Sequence, residues 1–139
     1  MTQSLPKALL GGAAGTAAMT AMMYGVAPMM GLHMDIAAML GSMMGNNWTL
    51  GMVAHLMNGV VIFPMAYALV VASKLPGSPA MRGMLFGVGL WLVAQAMVMP
   101  MMGGGLFSSA MGGMMAAGGS LMGHLIYGVL LGQIGTPTR

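Results

Sequence analysis

Two histidines open the same phrase in this chain. His55-Leu-Met-Asn-Gly59-Val60 returns as His124-Leu-Ile-Tyr-Gly128-Val129, at a spacing of 69 residues. Imidazole ligates copper, iron and zinc, and an ionisable side chain inside an apolar stretch is costly enough to mark function. The neighbours of the pair are rich in sulfur. Met52 lies one helical turn before His55, and Met122 lies two residues before His124. Met29 and Met30 close the phrase Val26-Ala-Pro28-Met29-Met30-Gly31, and Met101 and Met102 close its counterpart, Val98-Met-Pro100-Met101-Met102-Gly103, 72 residues on. Thioether sulfur is a soft ligand that selects Cu(I), and it binds without losing a proton. His33 and Met34 follow the first of these phrases, just ahead of the only carboxylate, Asp35, and have no equivalent in the second half.

Three chemistries fit these residues, beside a proton or substrate path through the histidines. In the first, His55 and His124 approach each other and join Met29, Met30, Met52, Met101, Met102 and Met122 around Cu(I), with His33 and Met34 as an entry point. In the second, the two histidines are the axial pair of a b-type haem. In the third, neutral histidines bond to each other, to Asn58 or Tyr127, or to a backbone carbonyl, and methionine is a flexible gap-filler. The placement of the methionines bears on the choice. Residues 20–61 and 93–125 hold 18 of the 23 methionines in 75 positions, against 5 in the other 64. Packing alone predicts no such asymmetry, since leucine and isoleucine serve equally at either depth.

Other chemistries are excluded by what the chain lacks. There is no cysteine, which removes disulfides, thiolate catalysis, iron–sulfur clusters and Cys-ligated zinc. A single carboxylate leaves no acid pair and no oxygen cage for calcium. Ser108 and Ser109 have no carboxylate or second base nearby in sequence, so no nucleophile–base pair can be assembled and an enzyme is not expected. The formal charge of +3 comes from residues scattered along the chain, not from a basic face for nucleic acid.

The elements that must position the histidines are membrane helices. Only 4% of the residues are charged and 58% are hydrophobic, against roughly 25% charged in a soluble domain. Lipid must be the solvent for most of the surface, and the bilayer is the first partner. Four apolar stretches approach the length needed to cross it, at residues 8–30, 50–73, 83–102 and about 117–134. The first resembles a signal peptide after Lys7, but its counterpart in the repeat lies mid-chain, so it is read as retained. The expected fold is an all-α integral membrane protein: one domain, residues 1–139, of four transmembrane helices built from two parallel two-helix repeats, about 8–73 and 80–136. Gly11-x3-Gly15 and Gly83-x3-Gly87 are close-approach seams. Pro28, Pro64 and Pro100 should bend or end their helices.

Lys7, Lys74, Arg82 and Arg139 then fall on one side. This places both termini in the cytoplasm and the protein in the inner membrane of a bacterium. The segments 31–49 and 103–116 lie outside, where Ile36, Met39, Leu40, Met43 and Met44 follow a helical period with Asp35 as N-cap. Phe107, Ala110, Met111, Met114 and Met115 repeat that period, so two short amphipathic outer helices are expected. The leading expectation for function is a small membrane protein that binds or passes Cu(I) through an outer-facing Met/His cluster. The alternatives are a cofactor-free accessory or assembly subunit, docked on other membrane subunits or on its own copies, and an electron-transfer subunit with a single b-type haem.

Overall fold

Each of three helices begins where the sequence supplies a side-chain acceptor for its first free amides. Asp35 accepts from the Ala38 amide, Asn47 from Leu50 and Ser78 from Met81. In the computed structural model, which describes residues 4–136, these caps open three of five helices. They are α1 (Leu5–Met30), α2 (Ile36–Ser42), α3 (Trp48–Lys74), α4 (Pro79–Met101) and α5 (Gly113–Gly135). No strand occurs among the described residues. All but α2 are long and apolar enough to cross a membrane. Leu10, Leu69 and Met97 are among many large apolar side chains more than half exposed. Such a surface suits hydrocarbon and not water. Arg139 lies outside the described residues; Lys7, Lys74 and Arg82 share one end of the molecule, called the basic end below.

The three prolines leave a common signature. Wide π turns at Met22–Val26, Asn58–Ile62 and Ala94–Val98 each stop two residues before a proline, Pro28, Pro64 or Pro100. Proline has no N–H to donate, and its ring crowds the carbonyl four residues back; a wider turn moves that carbonyl aside. The Phe63 amide reaches back to Asn58, so the Gly59 carbonyl is left facing a proline nitrogen that cannot donate. The Tyr127 hydroxyl donates to it instead, at 2.7 Å. Pro64 therefore widens α3 without ending it, and the helix runs on to Lys74. A further wide turn, Tyr67–Val71, has no proline after it.

Glycine sets the packing. A Cβ on Gly11 would lie 3.1 Å from Leu131 Cα, and one on Gly15 would meet Tyr127 at 2.8 Å, so α1 and α5 touch backbone to backbone. Gly83 and Gly87 lie in the same way against Gly128, Gly132 and the His124 carbonyl of α5. Gly12 faces Gly59 and Pro64, which joins α1 to α3. Both glycine seams expected from the sequence are present, and both run onto α5. Adjacent helices are antiparallel, in the row α3–α1–α5–α4.

The row does not close evenly. Near the basic end, Tyr67 of α3 and Phe86 of α4 meet with ring centroids 5.2 Å apart. They cap a core of Ala8, Tyr67, Ala72, Tyr127 and Leu131. Beyond it, the α3 and α4 backbones hardly approach. The bundle is closed at one end and splayed at the other.

The two connections at the splayed end differ from each other and from expectation. The first holds α2, which ends at Ser42 and so is shorter than the sequence period implied. The second holds no amphipathic helix. It makes one 3-10 turn, Leu106–Ser108, and Met114 and Met115 belong to α5, which begins at Gly113. Backbone geometry explains this: Gly103, Gly105, Gly112 and Gly113 all take positive φ and break the helix that Phe107–Met115 would need. Phe107 and Ser108 are themselves held at φ 50 and 58, a strained conformation for side-chain-bearing residues. They are fixed by docking. Phe107 stacks edge-on against Trp91, and buried Ser108 donates to Gln95 at 2.7 Å.

Candidate functional site

The splayed end encloses a cavity of about 510 Å³ in the space that α3 and α4 leave between them. It runs from Thr16, Gly59 and Tyr127 up to Leu32 and to Met39 and Leu40 of α2. Both repeated histidines line it, His55 from α3 and His124 from α5. Methionine makes up 23 of the 139 residues but eleven of the 32 that line the cavity. No charged side chain is among them.

Each histidine is held by a neighbour. A carbonyl can only accept, so the 2.7 Å contact of His124 Nδ1 with the Ser120 carbonyl places the proton on Nδ1. In the neutral ring, Nε2 then keeps its lone pair. This hydrogen bond from the far nitrogen to a backbone carbonyl is how metal-binding histidines are commonly oriented. His55 is buried, and its Nε2 lies 3.0 Å from Thr20 Oγ1 on α1. Thr20 thus engages one ring nitrogen of His55 and leaves Nδ1 as the second.

The residues that the sequence brought forward divide between the cavity and its outside. Met30, Met34, Met102 and Met122 line the cavity with the two histidines. Met29, Met52 and Met101 do not, and Met29 and Met101 are strongly exposed. His33 is exposed and also off the lining. No group of three or more His, Asp and Glu occurs among the described residues, so any metal bound there would depend on sulfur.

Several cavity residues escaped the sequence reading. Gln95, fully buried in the wide turn of α4, lines the cavity and accepts from Ser108. Its place in a membrane helix is an anomaly that could have marked it. Met19 and Met23 were hidden among other methionines. Met19 packs onto Gly123, the residue before His124, within 3.3 Å of where a Cβ there would sit. Met23 Sδ accepts the Ile36 amide at 3.4 Å, which ties α1 to the start of α2. Residues 23 and 95, and likewise 36 and 108, are 72 apart. In each half the connection is pinned to its preceding span at the same place.

Asp35 holds the rim. Its carboxylate accepts from the Tyr24 hydroxyl at 2.6 Å, the Trp48 indole at 3.0 Å and the Ala38 amide at 3.0 Å. One acid thereby joins the end of α1, the cap of α2 and the start of α3. Burial raises its pKa, but these donors outweigh it and hold the carboxyl below its ordinary 3.8.

A family model described as a family of unknown function, DUF6789, matches residues 2–137. No curated protein and no solved structure matches the chain.

Proposed function

We propose, for a chain that belongs to the DUF6789 family, that the splayed end of the bundle binds Cu(I) and passes it to or from the membrane surface. One observation carries this reading: His55 and His124 line a single cavity with eleven methionines and no charged side chain. Thioether and neutral imidazole add no negative charge, so the bound ion keeps its own. A monovalent soft ion costs far less to hold in such a setting than a divalent one. With Lys7, Lys74 and Arg82 on the cytoplasmic side, the cavity faces the outer leaflet of an inner membrane. Asp35, the only acidic side chain, lies between the lining residues Met34 and Ile36, where it favours the arrival of cations.

The test is a competition between the detergent-purified protein and a chromophoric Cu(I) chelator. The wild type should retain one Cu(I) per chain. His55→Ala and His124→Ala should each weaken binding about ten- to a hundredfold, in line with the loss of groups that hold a metal. A wild type that surrenders all its copper to a weak chelator would refute the reading.

The cavity volume favours a second occupant class, since small-molecule sites span roughly 300–1,000 Å³ and are mostly apolar. A b-type haem between the two histidines would fit in bulk. No Lys or Arg lines the cavity to pair with its propionates, so the same purification should show no Soret band. A chain that keeps neither copper nor haem supports the accessory-subunit reading.

A further inference from the structure

The two halves of the cavity are not equivalent in what they can offer a soft ion. The phrases around Pro28 and Pro100 put positions 19 and 23 in register with 91 and 95, at a spacing of 72. The first half supplies Met19 and Met23, both lining the cavity. The second half supplies Trp91, whose indole is a donor only, and Gln95, whose amide oxygen is a hard ligand. The Trp91 indole donates to the Ala117 carbonyl at 2.9 Å, and Gln95 Oε1 accepts from Ser108.

Met19 is also placed where it counts. It packs against Gly123, next to His124, while its chain neighbour Thr20 holds His55. One stretch of α1 thus touches both His55 and the residue before His124. Met23 is one turn further on the same face and reaches the amide of Ile36 at the start of α2. Beyond it, Met34 and Met39 line the cavity beside the rim. A run of thioethers therefore leads from the α2 rim along α1 to the histidine pair.

We infer that the ion is held asymmetrically: Met19 of α1 completes the His55–His124 pair, Met23 is the last step of the approach, and position 91 or 95 of α4 supplies no ligand. Thr20 is a positioning residue, acting through the orientation of His55. This rests on the Cu(I) reading above and gives it a ligand set. It implies one ion per chain, held unequally by the two repeats. Selectivity follows from the same set. Two neutral nitrogens and a thioether favour Cu(I) and its soft surrogate Ag(I) over Zn(II), which thioethers bind poorly.

The experiment is an Ag(I) and Cu(I) affinity series on the full chain in detergent. Methionine-to-leucine changes conserve volume and keep the fold. Met19→Leu should weaken binding about tenfold or more. Met23→Leu should slow uptake more than it lowers affinity. Met101→Leu, at an exposed residue off the cavity, should change neither. Thr20→Val should weaken binding about tenfold, with the Thr20→Ser variant restoring it, which a merely structural role for that side chain would not produce. If the wild type binds and Met19→Leu binds as tightly, this inference falls while the Cu(I) reading stands. If the wild type binds neither ion, both fall together.

Discussion

At the scale of single residues, a few polar side chains at the splayed end tie one element to the next. Asp35 shows how. Its folded pKa lies below the ordinary 3.8, so the anchoring it provides is complete above that value. It is lost only as pH falls through the lower, folded one. Trp48 emission, read in a Trp91→Phe background, should stay constant from neutral pH down to 3.8 and shift only below it. Asp35→Asn keeps the cap but loses the charge-assisted bonds to Tyr24 and Trp48. Its emission should already be shifted at neutral pH; emission identical to wild type would remove Asp35 as the anchor. That Asp35 caps α2 was legible from its place before an apolar period. Its bonds to Tyr24 and Trp48 were not, because they join residues 11 and 13 positions away across a turn.

At the scale of elements, small residues decide which helices meet. A Cβ on Gly128 would strike the Gly83 carbonyl and come within 3.2 Å of Gly87 Cα. Gly128→Ala must therefore push α4 away from α5, and the protein should melt markedly lower in detergent. Gly89 and Gly118 have nothing within 4 Å of a Cβ. Gly89→Ala and Gly118→Ala should be neutral, or stabilising by up to about 1 kcal/mol from helix propensity. Equal melting temperatures for Gly128→Ala and Gly118→Ala would undo the seam. The Gly-x3-Gly phrases announced these seams in the sequence. The sequence did not say that both would be spent on α5, since a one-dimensional pattern names a face and not its partner. The second connection departs from its apolar pattern for a related reason. The apolar period of Phe107–Met115 is real, but four positive-φ glycines around it override the helix.

At the scale of the whole molecule, the glycine seams give three close interfaces, α3–α1, α1–α5 and α5–α4, and leave α3 and α4 apart except at Tyr67 and Phe86. That missing fourth interface is the cavity. Four apolar spans could be read from composition and hydropathy, and the histidines stood out as polar anomalies within them. The opening between α3 and α4 could not be read, because it depends on which seam each glycine face chose. Only the folded chain separates Met19 and Met23, which line the cavity with the histidines, from Met29 and Met101, which are exposed outside it. The central claim is that this cavity holds Cu(I) on imidazole and thioether. Copper K-edge X-ray absorption of the Cu(I)-loaded wild type tests it directly. The predicted spectrum is that of Cu(I) in one site per chain, with both nitrogen and sulfur scatterers, the nitrogen contribution falling in His55→Ala. A first shell of oxygen alone, or one unchanged by His55→Ala, would contradict it.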